Sequence, residues 1–527
     1  MKPIRLLRGF LTVGVWTFAS RILGFIRDIL IASVMGTGPV AEAFLMAFSL
    51  PNMFRRFFAE GAFNMAFVPM FSKKIEAGED AESFARDAMM GLGTVLVVFT
   101  ALAVVFMPVL VLAMASGFAG DDRFALAVLY GRICFVYILF ISLAALLSGV
   151  LHATGRFAAA AAAPVLLNII LITQLMDGGR TGTPNIGNAA GIRPARRAGD
   201  ILTIGVVIAG LAQLALLVGA TRRAGFSFRP RWPQLTPDLK RLAIIAAPAA
   251  LAGGVVQINL LVGRQVASFF EGAFAWLSYA DRLYQLPLGV VGIAIGIVLL
   301  PDLSRRLQAG DDAGGQNAFN RAGEMALALT VPAAVALAVI PVPLVRTLFE
   351  RGAFEASDTA ATALAVAVYG AGLPAFVLQK VLQPVFFARE DTKRPFYYAL
   401  VALVVNAVVA IGLAPFIGFI AAAIGASVAG WVMAGLLWLG SRQLGDAARL
   451  DARFRDRLWR IVLASLVMGA VLIVGARILD PWLAGSGLAR ATSLAALVTA
   501  GLASYAVASL AMGAQSLDEL KSALRRA

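Results

Sequence analysis

Apolar residues fall in about fourteen runs of roughly 20, separated by short polar loops, and each run has the length a helix needs to cross the hydrocarbon core of a bilayer. The runs centre near Ala19, Phe57, Val98, Leu139, Leu167, Ala209, Leu260, Gly289, Pro332, Phe376, Leu403, Ala429, Met468 and Ala500. Barrel strands are shorter and alternate in polarity, so the pattern predicts an all-α bundle of membrane-spanning helices. A few runs are interrupted by charge. The first holds Arg21, Arg27 and Asp28, and the second holds Arg55, Arg56 and Glu60 with Glu42 near its start. Arg264 lies in the seventh, Asp281 and Arg282 in the eighth, and Lys380 in the tenth.

A charge at the centre of a spanning helix costs about 2.5–3.5 kcal/mol on insertion scales, so such groups usually face a bundle interior or a water-filled cavity and mark a pathway. Arginine outnumbers acid at these positions, which points to an anionic ligand. Arg21 and Asp28 are seven apart and share a helix face, whereas Arg27 and Asp28 are adjacent and do not. Arg27 is therefore expected to face a cavity while Asp28 pairs elsewhere. Arg56 and Glu60, four apart, can pair along one face and leave Arg55 to meet a ligand. Pro51 predicts a kink or an unwound turn in the second helix, and Glu42 suits the positive end of a helix. The competing reading is a set of mutually neutralised packing groups, and the arginine excess argues against it. Arg132 and Arg264 fit snorkelling or vestibule lining equally well, and neither they nor Lys380 receive a role.

Two echoes run through the chain. Leu50-Pro51 and the ending Val68-Pro69 to Lys74 recur as Leu286-Pro287 and Leu300-Pro301 to Arg306. Leu151-His-Ala153 through Arg156 to Pro164-Val-Leu-Leu-Asn168 recurs as Phe387-Ala388 through Lys393 to Leu403-Val-Val-Asn406. Each echo pairs runs six apart, and an even separation keeps both copies pointing the same way. The expected plan is two parallel six-helix lobes, 1–220 and 241–440, joined by a basic cytoplasmic linker at 221–240. Two additional helices at 459–512 and a cytoplasmic tail at 513–527 follow. Parallel repeats are a known transporter plan with the substrate between the halves, here a central cationic cavity.

Of 527 residues, 60% are hydrophobic and 14% charged, with a mean hydropathy of +0.84, well outside the range of soluble domains. The net charge of +15 is largely a topology signal. With the N-terminus inside, about 26 Lys and Arg fall in cytoplasmic loops and about 9 outside, which puts both termini in the cytoplasm. The loop from Met176 to Gly199, rich in Gly, Pro and Arg, is the exception and is kept outside. The run after Lys2, Arg5 and Arg8 is too long for a signal-peptide core and lacks an Ala-x-Ala site, so it is expected to remain as helix one. Cys134 and His152 are the sole residues of their types, which excludes a disulfide framework and a Cys/His metal site. There is no Walker loop, no Ser/His/Asp order and no basic face interleaved with aromatics, so neither an enzyme, a cofactor nor a nucleic-acid partner is expected.

Ser20-Arg-Ile-Leu-Gly-Phe-Ile-Arg-Asp28, Leu50-Pro-Asn-Met-Phe-Arg-Arg-Phe-Phe-Ala-Glu-Gly-Ala-Phe63, Ala66-Phe-Val-Pro69 and Tyr279-Ala-Asp-Arg-Leu283 resemble the signature segments of the MurJ/MviN lipid II flippases. The resemblance covers essentially the whole length and implies membership of the multidrug/oligosaccharidyl-lipid/polysaccharide exporter superfamily. It implies transfer of lipid II, an undecaprenyl-diphosphate-linked peptidoglycan precursor, from the cytoplasmic to the periplasmic leaflet of the bacterial inner membrane. The family's cavity arginines match Arg21, Arg27, Arg55 and Arg282, with Asp28, Glu42, Arg56, Glu60 and Asp281 as supporting charges. At Glu42 the family often has aspartate. Some members carry a sodium site in the second half, for which Asn406 is a polar candidate. With no ATP motif, the drive falls to membrane potential, an ion gradient or removal of product outside. Alternatives from the same fold are a flippase for another polyprenyl-diphosphate sugar and a drug/cation antiporter, the latter expected to favour acidic cavity groups. A scaffold for cell-wall enzymes is the non-transport alternative.

Overall fold

The computed structural model describes residues 3–55, 62–180, 192–227, 232, 234–294, 299–445 and 448–515, and among them every regular element is helical. The chain forms two compact units, 1–275 with 351–354, and 276–350 with 355–527.

The first unit contains α1 (Pro3–Met35), α2 (Pro39–Arg55), α3 (Ala62–Glu76), α4 (Ala81–Val105), α5 (Met107–Ala115), α6 (Asp122–Phe135), α7 (Tyr137–Ala153), α8 (Ala158–Arg180), α9 (Ile192–Arg223) and α10 (Pro237–Ser268), and it takes in the start of α11 (Ala273–Ala294). The second contains the rest of α11, then α12 (Leu300–Gln308), α13 (Asp312–Val339), α14 (Pro341–Phe349), α15 (Ala356–Phe387), α16 (Lys393–Ile417), α17 (Ile420–Ser441), α18 (Ala452–Ile478), α19 (Asp480–Leu483) and α20 (Gly487–Ala511). Among the described residues ten helical stretches are long and apolar enough to cross a membrane. They fall at predicted runs three to six and nine to fourteen. The other four runs correspond to α1, to α2 with α3, to α10 and to α11, which carry Arg21 and Arg27, Arg55, Arg264 and Arg282 respectively.

Local chemistry sets the helix starts. Side chains of Asp80, Asp311 and Asp451 accept from the amides of Ser83, Gly314 and Phe454 at 2.9, 2.8 and 2.6 Å, each satisfying a donor that the first helical turn leaves without a backbone acceptor. Two short helices escape the run-length argument: α5 and α14 are nine residues each, with proline in the first turn, and follow α4 and α13. The stretch from Met176 to Gly199, expected to be a loop, is helical at both ends: α8 continues to Arg180 and α9 begins at Ile192. Helices that outrun the hydrocarbon core stay helical because their backbone bonds are internal, so hydropathy alone places the loop too early.

Lipid tails give no hydrophobic drive for helix association, and close packing does the work instead. In the first unit Phe67 stacks on Phe71 and Phe84 with centroids at 5.4 and 5.5 Å. In the second, α17 buries Ala421, Ala422, Ala423, Gly425, Ala429 and Gly430, with Gly425 against Asn406 and Gly430 against Phe376. Arg490 of α20 donates to the carbonyls of Arg346 and Glu350, both at 3.2 Å, and pairs with the Glu350 carboxylate at 3.4 Å, which ties the last helix to α14.

Residues 351–354 leave α14 and enter the first unit. The Ala353 amide donates to Ser33 O at 2.7 Å at the end of α1. Gly36 and Gly352 have φ of 63° and 62°, a region open to glycine and strained for other residues. A Cβ on Gly352 would overlap Ser33 O, and one on Gly36 would overlap Ala353 O.

Candidate functional site

Arg27 and Asp28 of α1 sit in a polar cluster inside the first unit. Arg27 is 5% exposed and so is Asp28. Arg27 Nε and Nη2 donate to Asp28 Oδ1 at 3.0 and 2.7 Å, and Nη1 donates to Asn168 Oδ1 at 2.9 Å. Asn168 Nδ2 in turn donates to Ser20 O at 3.0 Å, so α8 grips the α1 backbone and the α1 arginine with one side chain. The Arg27 guanidinium lies 5.4 Å from the ring centroid of Phe48 on α2, a cation–π distance.

This corrects the expectation that Arg27 and Asp28 diverge. Adjacent Cα–Cβ vectors do point apart, but an arginine has enough reach to curl back onto its neighbour's carboxylate. Arg21 is exposed on α1, and Arg55 is half-buried at the end of α2, seven residues and two turns beyond Phe48 on the same face. Arg56 and Glu60 lie outside the described residues. Pro51 sits inside α2, where the Asn52 side chain donates to Phe48 O at 2.9 Å in the turn the proline interrupts.

In the second unit Asp281 and Arg282 are half-buried on α11. The Gln285 amide donates to Asp281 one turn along. Tyr284 packs between Tyr369 and Phe376, with centroids at 5.0 and 5.5 Å.

Glu42 belongs to a separate network. It is fully buried, its Oε2 accepts from Arg123 Nη1 at 3.0 Å, and its Oε1 accepts from the Phe274 amide at 3.0 Å. Arg123, 7% exposed, also pairs with Asp121 at 2.6 Å and lies 4.6 Å from the Phe118 ring centroid. Next to it the Gly117 amide donates to Ser268 Oγ at 3.0 Å, and the Ser116 amide donates to Gln265 Oε1 at 3.0 Å. Glu42 thus holds the starts of α2, α6 and α11 together instead of flanking Arg27. Its partner Arg123 reads in sequence as an ordinary loop charge.

Asn168 is the site residue that sequence reasoning passed over as such. It marks one of the repeats, opposite Asn406, and a polar amide within a spanning run was the available signal. Asn406 itself is buried on α16 against Gly425. Arg132 donates to Val104 O at 3.2 Å at the end of α4, a capping contact, and Lys380 is exposed. No group of three or more His, Cys, Asp or Glu that could hold a metal occurs among the described residues.

A profile of the family described as "Lipid II flippase MurJ" matches residues 31–492. A "Probable lipid II flippase MurJ" of Rhizobium meliloti (strain 1021) is 44% identical over 526 residues, 99% of this chain and 96% of the relative. One from Rhizobium tropici is 46% identical over 433 residues, 81% of this chain and 79% of the relative. Among solved structures, "Lipid II flippase MurJ, inward closed conformation" superposes with a TM-score of 0.76 at 24% identity, covering 95% of this chain and 98% of that one. An inward-facing multidrug resistance MATE family transporter of the MOP superfamily superposes at 0.65 and 15% identity, over 80% and 94%. Two charged helices built around a buried, oriented arginine, a fold shared with flippases and exporters, and near-full-length identity converge on one conclusion: the chain belongs to the MurJ family of lipid II flippases.

Proposed function

We propose that this protein carries lipid II from the cytoplasmic to the periplasmic leaflet of the bacterial inner membrane by alternating access, with both termini cytoplasmic and no catalytic step. The observation that carries the reading is Arg27. A permanently charged guanidinium is 5% exposed well inside a 33-residue helix, and it is oriented by Asp28 and Asn168 instead of being hidden among apolar groups. Planar guanidiniums are the side chains best matched to a diphosphate. Arg27 spends three N–H donors on Asp28 and Asn168, and a guanidinium has five, so two remain for phosphate oxygens.

Arg21, Arg55 and Arg282 complete the proposed binding set. Asp28 and Asp281 hold arginine charge between cargoes, and Arg56 and Glu60 are the further supporting charges of the proposal. The polar head crosses through this set while the prenyl chain stays in lipid. The two parallel lobes, 1–220 and 241–440, supply the alternation, and the matching α5 and α14 support that plan. An inside-negative potential drives a net anionic cargo outward at about 2.3 kcal/mol per charge per 100 mV.

The test is complementation after depletion of a host's own flippase, with the leaflet position of the precursor read by an externally added precursor-cleaving toxin. The wild type should restore toxin access, whereas Arg21→Ala, Arg27→Ala, Arg55→Ala and Arg282→Ala should each fail while remaining folded in the membrane. Retained flipping in all four would sink the site assignment. Silent Arg→Lys changes at the same positions would favour a scaffold over a transporter.

A further inference from the structure

Among the described residues two arginines are buried, Arg27 and Arg123, and each lies against the face of a phenylalanine ring, Phe48 at 5.4 Å and Phe118 at 4.6 Å. Otherwise they are held differently. Arg123 is closed in by two carboxylates, Asp121 and Glu42, and its Nη2 also donates to Gly117 O at 3.4 Å. Arg27 meets one carboxylate among the described residues, that of Asp28, together with the neutral amide oxygen of Asn168.

Phe48 therefore stands where Arg123 has a second carboxylate. The negative face of an aromatic ring attracts a guanidinium, and it differs from a carboxylate in two respects that matter for a ligand. It takes up no N–H, and it cancels no charge. Asp28 engages Nε and one hydrogen of Nη2, and Asn168 engages one hydrogen of Nη1, so each terminal nitrogen keeps one N–H. Two acceptors at the edges and a ring against the face fix the plane of the guanidinium.

The ring is itself fixed. Phe48 is buried and stacks on Phe44, four residues back on the same face of α2, with centroids 5.9 Å apart and planes 4° from parallel. Phe44 has no exposed surface. Pro51 cannot donate a backbone bond in this turn, and the Asn52 side chain secures the Phe48 carbonyl there at 2.9 Å.

We propose that Phe48 is a positioning residue for the cargo: its ring face holds the Arg27 cation so that the two remaining N–H groups stay presented to the phosphate oxygens of a polyprenyl diphosphate. This rests on the reading of Arg27 as a cargo ligand. A ring that only fills space could exchange its electrons for fluorine without effect. A ring that holds a cation must keep electron density on its face.

The experiment places 4-fluoro-, 3,5-difluoro- and 3,4,5-trifluorophenylalanine at position 48 of the full chain by stop-codon suppression, which keeps the ring nearly constant in shape while draining its face. The purified proteins in detergent are titrated with undecaprenyl diphosphate and read by native mass spectrometry. Affinity should fall at each step, to about a tenth of the wild-type value with three fluorines. Phe48→Leu should fall at least as far. In an Arg27→Ala background the residual affinity should not respond to fluorine, because the cation is gone. Level affinity across the series, the same decline in the Arg27→Ala background, or no binding by the wild type would each overturn the proposal. The toxin-access assay decides the flippase reading separately: a graded loss of binding without restored toxin access would keep Phe48 as the positioning residue of a polyprenyl-diphosphate site and remove the flippase assignment.

Discussion

Replacing Glu42 with glutamine is the sharpest probe of the Glu42–Arg123 network. Glutamine keeps an acceptor for the Phe274 amide but turns an NH2 toward Arg123 Nη1, so donor faces donor where a charge-assisted bond of 3.0 Å stood. Removing one member of a buried ion pair typically costs about 3–5 kcal/mol, because the remaining charge is left without compensation. Asp121 stays on Arg123 at 2.6 Å, which places Glu42→Gln at the low end, about 3 kcal/mol, or roughly a hundredfold in the folded-to-unfolded ratio. Arg123→Gln strands a fully buried carboxylate with backbone amides alone and should cost at least as much. The double variant Glu42→Gln/Arg123→Gln forms a neutral pair and should fall short of the sum by about 2 kcal/mol or more. Unfolding of the purified protein in mixed micelles, followed by tryptophan fluorescence across a denaturant series, measures all three. A Glu42→Gln change below about 0.5 kcal/mol, or strict additivity in the double variant, would refute the reasoning.

Three further outcomes are expected. Glu42→Asp shortens the side chain by about 1.5 Å and cannot span both 3.0 Å contacts, so it should lose about one hydrogen bond, some 1–2 kcal/mol, in the same unfolding assay. Gly352→Ala combines a left-handed backbone penalty with overlap at Ser33 O and loss of the Ala353–Ser33 bond, and should destabilise by about 2–4 kcal/mol, seen as a lower midpoint of unfolding. Asn168→Ala frees Arg27 from α8 and Asn168→Asp gives it a second carboxylate; both should impair complementation, the aspartate more severely, and wild-type growth with Asn168→Asp would remove Asn168 from the binding machinery.

Much of the bundle is legible in sequence because a bilayer demands about 20 apolar residues per crossing, a rule that needs no tertiary information. The helices α5 and α14 are not legible, since nine residues with a leading proline resemble a loop as much as a helix. Arg27 stands out because a charge within an apolar run is costly, but its environment does not. The Arg27–Asp28 pair depends on side-chain reach that helical spacing ignores, and Asn168 lies 141 residues away. Glu42 shows the same limit: its chemistry is visible at the helix start, while Arg123 is 81 residues off and Phe274 is 232. Contacts of that kind are set by how helices assemble, and a single sequence carries no trace of them beyond the presence of two opposite charges.

Residues 351–354 belong by contact to the first unit and by covalent connection to the second. Here a gene cut between 275 and 276 would yield a leading fragment without the peptide that covers Ser33 and Gly36, and a trailing fragment carrying a glycine turn with nowhere to lodge. Neither stretch of chain therefore holds a complete unit, because the first draws four residues from beyond position 350.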